Sequence, residues 1–190
     1  MEQELEEVKQ KIVNNEQNNF DISNIGQSFE NELEILNNLQ NDISEYTNYD
    51  NIQNPYNFKS WWDTLSSSKE APFSIRKKIY QVSLHYLPGS YKLWFNYLKE
   101  EREYVKSNYN MPNKYYDQVN SLHEQALIYM MKMPMIWINY IQFLIEQNLI
   151  TKTKIIFNKA LQAIPITQHK KLWDIYRFLY IFILSQLKII

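Results

Sequence analysis

The chain has 190 residues, of which 45% are apolar and 15% aromatic, with two glycines and no cysteine. The lack of cysteine excludes disulfides, thiol catalysis and cysteine-ligated metals, and two glycines are too few for glycine-rich phosphate loops or a sheet with many tight turns. Residues 1–50 hold twelve acids and two lysines, a charge of −10, whereas residues 51–190 hold eighteen bases and nine acids, a charge of +9. This asymmetry indicates an acidic leader on a basic folded body.

Residues 1–48 form an asparagine-rich leader in which apolar residues rarely recur at a fixed spacing. Two short stretches, residues 5–12 and 29–39, have helical spacing, and pairs of asparagines separate them. Polar low-complexity segments bury too little apolar surface to fold, so we expect this leader to be largely disordered with transient helix. Its acidic start, without an apolar run, is unlike a secretory signal or a transit peptide.

A tryptophan motif recurs in the rest of the chain, residues 49–190. Its four copies begin at intervals of 33, 43 and 36 residues, at Trp61, Trp94, Trp137 and Trp173. Three copies read Trp-x-x-Tyr, with Tyr97, Tyr140 and Tyr176, and the first copy has Thr64 at that position. The apolar residues around each tryptophan recur at i, i+3 and i+4, so each copy predicts a helix.

A second motif is centred on a small residue. The three small residues precede the next tryptophan by 11, 11 and 13 positions, and they are Ser83, Ala126 and Ala160. Their surroundings also have helical spacing, and a proline lies in the turn that follows each of them. The sequence therefore predicts repeating pairs, each with one tryptophan helix and one small-residue helix.

The two residue types explain each other physically. A second helix can approach a tryptophan closely only where the facing residue is small, and a single helix pair cannot bury both of its apolar faces. Stacked pairs share one continuous core. We therefore predict an all-α fold, an α-solenoid of antiparallel helix pairs with about three pairs and a terminal helix, in which Trp137 packs near Ala126 and Ala160.

The most apolar stretch of the chain covers residues 178–187. Ten residues of helix rise about 15 Å, whereas the hydrocarbon core of a membrane is about 30 Å thick. Asp174, Arg177 and Lys188 also bracket this stretch. We expect a helix that faces the protein core and no association with a membrane.

The residues that usually carry chemistry form no recognisable catalytic or metal-binding pattern. His85, His123 and His169 occupy different repeat positions and lack the i, i+4 pairing of a helical metal site. With only Gly26 and Gly89, neither a Gly-x-Ser-x-Gly motif nor a phosphate-binding loop can form. We predict no catalytic residue, no cofactor, no metal and no small-molecule substrate, and a surface or packing role for the histidines.

Basic residues are grouped at the start of one small-residue helix and in the turn before the last tryptophan. They are Arg76, Lys77, Lys78, Lys170 and Lys171. These residues are candidates for a weak phosphate-contacting stripe, although ordinary solubilising lysines explain them more simply. The tryptophans and tyrosines fall at core spacing, which indicates packing more than a platform for stacked bases.

The paired motifs resemble the HAT, or half-a-TPR, repeat. Three segments are similar to the amino-terminal repeats of the Syf-type pre-mRNA-splicing factor family, also called XPA-binding proteins. They are Leu-Pro-Gly-Ser-Tyr-Lys-Leu-Trp at 87–94, Lys-Met-Pro-Met-Ile-Trp at 132–137 and Ala-Leu-Gln-Ala-Ile-Pro-Ile-Thr-Gln-His at 160–169. The resemblance covers about residues 50–180, and Ser83 stands where the family has alanine.

This resemblance implies a non-enzymatic nuclear scaffold that binds other splicing proteins of the spliceosome-associated nineteen complex, with intron or small nuclear RNA nearby. Some family members are also linked to transcription-coupled DNA repair. Two other functions stay open on the residues alone: an RNA-binding module that uses the basic stripe, and a TPR-like adaptor for peptide tails. Retention on immobilised RNA would favour the former, and copurification with spliceosomal proteins would exclude the latter.

Overall fold

The computed structural model describes residues 22–47 and 49–177, which form helices and turns without a strand. The helices are α1 (Ile22–Asp42), α2 (Tyr49–Gln53), α3 (Phe58–Ser67), α4 (Phe73–Tyr86), α5 (Tyr91–Asn108), α6 (Lys114–Met130), α7 (Pro134–Glu146) and α8 (Ile150–Ala163). A further helix, α9, covers residues 169–177. Short 3-10 turns lie at Ser68–Glu70 and Ile166–Gln168. The all-α class predicted from the sequence is confirmed.

The chain divides into two compact units, Met1–Ser44 and Glu45–Ile190. In the first unit, α1 is a continuous helix of 21 residues where the composition predicts only transient helix. Apolar residues recur along α1 every three or four positions, and this periodicity supports the helix despite its many asparagines. Residues 1–21 lie outside the described part of the chain, so the disorder expected there and the boundary after residue 48 stay predictions.

In the second unit, the tryptophan helices α3, α5, α7 and α9 alternate with the small-residue helices α4, α6 and α8. From α3 to α8, each helix packs against the next one in the chain. Short turns between packed neighbours give antiparallel helices. The predicted solenoid of helix pairs is therefore confirmed.

Three of the helices begin at a residue that satisfies or removes a free backbone N–H group. The side chain of Asn57 accepts a hydrogen bond of 3.0 Å from the Lys59 backbone N–H before α3. Asn113 makes the same bond, at 3.1 Å, before α6. Pro134, which has no N–H to satisfy, is the first residue of α7. These starting residues fix the ends of the turns and so the register of the stack.

The core of the second unit runs along the seam between successive helices. Its largest fully buried side chains are Tyr80, Tyr97, Tyr140, Phe143, Ile79, Leu93, Leu98, Ile136, Ile141, Leu144 and Leu172. The small residues Ser83, Ala126 and Ala160 are completely buried among them. Their complete burial is expected of positions that cannot hold a larger side chain.

The predicted core-facing helix over residues 178–187 lies outside the described residues. Within residues 22–47 and 49–177, no helix combines the length and apolar character that a membrane crossing requires.

Candidate functional site

The tryptophans that begin the first three motif copies are each clamped by a hydrogen bond from the indole Nε1 to a backbone carbonyl six residues earlier. The bonds join Trp61 to Pro55 (2.7 Å), Trp94 to Pro88 (2.8 Å) and Trp137 to Met131 (2.8 Å). All three side chains are buried. The bond satisfies the one polar atom of the indole and fixes the turn that leads into each tryptophan helix.

Trp173, the tryptophan of the fourth motif copy, is held differently. Its side chain is 48% exposed, and its indole N–H finds no carbonyl partner within the described residues. The interval from Ala160 to Trp173 is 13 residues instead of 11, and a 3-10 turn occupies it. The ring contacts Phe157 edge-on, with centroids 5.2 Å apart. The indole hydrogen bond is therefore present where the small residue and the tryptophan are 11 residues apart and absent where they are 13 apart.

Aromatic stacks join each helix pair to the next one. In every case, the ring three residues before the small residue stacks on the tyrosine of the following Trp-x-x-Tyr motif. The stacked pairs are Tyr80–Tyr97 (centroids 5.0 Å apart), His123–Tyr140 (4.9 Å) and Phe157–Tyr176 (4.4 Å). The sequence prediction named the tyrosines and missed their partners, although a ring at the same position in all three copies is a visible signal.

His123 is completely buried in the second of these stacks. Its Nδ1 donates a hydrogen bond of 2.8 Å to the Val119 carbonyl, and Nε2 has no hydrogen-bond partner. Phe143 covers the ring as well, with centroids 5.6 Å apart. Burial lowers the pKa of His123 to about 4, although the bond to Val119 opposes the shift. The imidazole is therefore neutral at pH 7 and serves as a packing group.

Arg76, a predicted phosphate contact, braces three helices. Its Nε and Nη2 donate to the two carboxylate oxygens of Glu100 on α5, at 2.9 and 2.6 Å. Its Nη1 donates to the carbonyls of Leu65, in the last turn of α3, and Ser68, just after it, at 2.8 and 3.1 Å. Hydrogen bonding to Glu100 raises the pKa of Arg76. Its donors are thus occupied within the protein.

The other predicted stripe residues lie in two places along the stack. Lys77 on α4 pairs with Glu101, at 2.8 Å between Nζ and Oε1, and Lys78 on α4 is half-buried. Lys170 and Lys171 are exposed on α9, with two small-residue helices between them and α4 in chain order. The structure therefore shows two separate groups, and phosphate binding by either stays a prediction.

An open groove of about 410 Å³ lies between α4 and α6, with α5 as its floor. The residues that line it from α4 include Ser74, Lys77 and Gln81, and those from α6 include Gln118, Ser121 and Gln125. Both sets have the spacing of one helix face, so two parallel rows of polar side chains face each other. We call this feature the open groove.

Three glutamines line the open groove. Gln81, Gln118 and Gln125 are exposed, and their amides make no hydrogen bond or ion pair with the described residues. The floor is formed by Tyr97 and by the Lys77–Glu101 ion pair, in which the Glu101 side chain is only 5% exposed. The groove therefore offers free amides above a neutralised floor.

One end of the open groove is aromatic. Tyr109 and Tyr115 stack with centroids 4.1 Å apart, and Phe73 stacks on Tyr104 at 4.3 Å. An edge contact of 6.3 Å between Tyr104 and Tyr109 joins the two stacks. Tyr104 is 37% exposed, so this end presents aromatic surface to a ligand.

The equivalent position one repeat later is closed. Lys152 on α8 reaches Glu124 on α6, at 3.1 Å between Nζ and Oε1, and so bridges the two helices above α7. The Tyr140 hydroxyl donates to the same carboxylate at 2.6 Å. The hydrogen bond from Tyr140 and the nearby Lys152 lower the pKa of Glu124. We call this feature the bridged groove.

The described residues hold no group of three histidine, aspartate or glutamate side chains placed to bind a metal ion. Three carboxylates of the stack, those of Glu100, Glu101 and Glu124, are each paired with a basic side chain.

Comparison with known proteins gives one consistent result. The family model described as the pre-mRNA-splicing factor Syf1/CNRKL1 N-terminal HAT repeat matches residues 41–183. The chain is 40% identical over 129 residues to the human pre-mRNA-splicing factor SYF1, an alignment that covers 67% of this chain and 15% of the relative. It is 40% identical over 125 residues to a syf1 homolog of Drosophila melanogaster (66% of this chain, 14% of the relative). It is 36% identical over 126 residues to the splicing factor cwf3 of Schizosaccharomyces pombe (66% and 16%). The chain therefore spans only about 15% of the length of the relatives that it matches.

Proposed function

Because the chain belongs to the Syf1/CNRKL1 N-terminal HAT-repeat family, we propose that it serves pre-mRNA splicing as a protein-binding scaffold. The observation that carries this proposal is the match over residues 41–183, which includes every helix of the repeat stack from α2 to α9. The relatives from animals and fission yeast are named as pre-mRNA-splicing factors.

The scaffold works by presenting surfaces at fixed distances. The indole clamps and aromatic stacks give a rigid spine, and each added pair extends the surface on which partners bind. In this proposal the chain catalyses no reaction and takes no cofactor or small-molecule substrate. The neutral, buried His123 and the paired carboxylates Glu100, Glu101 and Glu124 support such a role, because none is left poised for proton transfer.

The finer assignment follows the family resemblance. We place the chain in the nucleus, as part of the spliceosome-associated nineteen complex. Its partners are other splicing proteins, and intron or small nuclear RNA lies nearby. The splicing-factor names of the relatives support this placement.

Affinity purification tests the proposal. The tagged chain is incubated with nuclear extract, with and without ribonuclease, and the captured proteins are quantified by mass spectrometry against a tag-only control. We expect splicing proteins to be enriched and to remain bound after ribonuclease treatment. Absence of splicing proteins from the captured set would overturn the proposal, and their loss on ribonuclease treatment would replace protein binding with RNA binding.

A second candidate function is direct RNA binding. Residues 150–177 hold six basic residues and one acidic residue, a net charge of +5. Lys170 and Lys171 are exposed within this range. If this surface binds RNA, the logarithm of the affinity for a labelled single-stranded RNA falls with the logarithm of the salt concentration, by about 0.7 for each phosphate neutralised. Lys170→Gln with Lys171→Gln would then lower this slope by about 1.4.

A further inference from the structure

We infer that the open groove binds an extended, uncharged segment of a partner protein through the free amides of Gln81, Gln118 and Gln125. This inference rests on the proposed protein-binding function and names the surface and the chemistry that would carry it.

The spacing of the glutamines suits an extended chain. Gln118 and Gln125 are seven residues apart on α6, a rise of about 10 Å, which matches about three residues of extended peptide. Gln81 faces them from α4. A glutamine amide both donates and accepts, so it can pair with a backbone C=O and a backbone N–H. A helical partner uses these groups internally, whereas an extended segment leaves them free.

The charges of the open groove favour an uncharged occupant. Lys77 and Glu101 are the only charged residues that line it, and they already pair with each other. A phosphate would find no free cation and would lie above a buried carboxylate. An acidic or basic peptide would likewise meet no counter-charge. This arrangement disfavours nucleic acid as the occupant and favours a neutral polar segment.

The aromatic end defines one further feature of the occupant. The faces and edges of Tyr104, Tyr109 and Tyr115 are partly accessible beside the free amides. Aromatic surface of this kind packs well against an apolar or aromatic side chain. We therefore expect the bound segment to carry an apolar anchor residue at one end of its amide-bonded stretch.

The bridged groove shows that free glutamine amides are not present in the groove of every repeat. Glu124 stands two residues before Ala126, where Gln81 stands two residues before Ser83. Glu124 is held by both Tyr140 and Lys152, and the bridge to Lys152 crosses the space that a peptide would occupy. The open groove keeps that space clear.

A peptide selection tests the inference. The whole chain is immobilised and screened with a phage-displayed library of random 12-residue linear peptides, and the most enriched sequence is synthesised with a fluorescein label. Its dissociation constant is then measured by anisotropy for the unmodified chain and for Gln118→Ala/Gln125→Ala. Removal of two peptide-binding amides should weaken binding by about tenfold or more. Alanine is favourable in exposed helix positions, so this variant should fold.

A matched control removes two exposed amides elsewhere. Asn158→Ala/Gln162→Ala acts on α8, outside the open groove, and should change affinity by less than about twofold. The inference is overturned if no peptide is enriched, if the enriched peptides are strongly charged, or if both variants have the same affinity. It is also overturned if a labelled 12-residue oligouridine competes with the peptide.

The same variant separates this inference from the proposed function. If Gln118→Ala/Gln125→Ala captures the same splicing proteins as the unmodified chain and binds the peptide unchanged, the docking inference fails and the scaffold proposal stands. If the unmodified chain captures no splicing protein, the scaffold proposal fails.

Discussion

The packing between successive helix pairs at α5 (the first joint) and at α7 (the second joint) shares a stacked ring and a clamped tryptophan but differs at the surface. In both, a ring on the small-residue helix stacks on a tyrosine, at 5.0 and 4.9 Å, and a tryptophan is clamped by a bond of 2.8 Å. At the surface, the first joint has the free amide of Gln81, whereas the second has Glu124 bridged to Lys152.

The difference separates positions that determine the fold from positions that determine binding. Positions that face a neighbouring helix keep the same kind of side chain in each copy, a ring or a small residue, because the packing distance between helices allows little change in volume. The residue directly after each stacked ring, Gln81 or Glu124, faces the groove and can change without affecting the core. The same stack can thus present an open groove beside a bridged one.

The largest expected loss of stability follows from removal of a clamped tryptophan. Trp137→Ala should lower the free energy of unfolding by about 3–5 kcal/mol, because it removes a buried side chain and leaves the Met131 carbonyl without its partner. Trp173→Ala should cost well under half as much, since that side chain is half-exposed and unclamped. Urea unfolding measures both, and equal losses would contradict the distinction between the two kinds of copy.

The small residues should tolerate no added volume. Ala126→Trp or Ala160→Trp should destabilise the chain by about 1–3 kcal/mol or more, because each residue is completely buried between helices. Gln162→Trp, at an exposed position of α8, is the control and should have little effect. A stable Ala160→Trp variant would show that the seam holds unfilled space.

The two joints should differ in their response to acid. The folded-state pKa of His123 is about 4, below the ordinary value of 6.5, so the unfolded chain gains the proton first as the pH falls. Stability is therefore full above about pH 6.5 and should fall by about 2 kcal/mol between pH 7 and pH 5. Tyr80, at the same position of the first joint, has a raised pKa and stays protonated throughout.

The variant that isolates this response is His123→Phe, which keeps an aromatic ring in the stack. Thermal unfolding at several pH values should give a flatter dependence between pH 5 and pH 7 than that of the unmodified chain. An unchanged slope would mean that His123 titrates normally and is not enclosed.

The smallest expected effect concerns the bridge itself. Lys152 and Glu124 have partly exposed side chains, so Lys152→Gln should lower the free energy of unfolding by less than about 1 kcal/mol. Lys154→Gln, on the exposed face of α8, is the matched control. A much larger loss for Lys152→Gln would show that the bridge supports the fold and is not confined to the groove.

The repeat positions could be predicted because their signal is periodic and local. Spacing alone predicts the helices that contain Ser83, Trp94 and Tyr97, and the structure has a helix at each of these places. The structure of the leader was harder to predict. Its composition is typical of a disordered segment, and its weak helical periodicity did not predict the continuous helix α1. The indole clamps escaped prediction because a backbone carbonyl acceptor leaves no mark on the sequence.

The candidate site depends on which helices lie side by side in the fold, and this arrangement could not be predicted from the sequence. Arg76 and Lys77 are a basic run in the sequence, but in the fold they face Glu100 and Glu101 of the next helix. Gln81 and Gln118 are 37 residues apart and became one site only when α5 placed α4 beside α6. Only the three-dimensional arrangement distinguishes a free amide from a paired one.

The indole clamps also separate the part of the repeat whose length is constant from the part whose length varies between copies. The clamped turns allow 11 residues from Ser83 to Trp94 and from Ala126 to Trp137. From each tryptophan to the small residue that follows, the interval varies from 22 to 32 to 23 residues across the first three copies. The extra residues of the second copy are therefore absorbed at one edge of the stack, in the loop after α5 and the helices beside it, while the clamped turns keep their length. New contact surface can be added at that edge without altering how successive pairs dock.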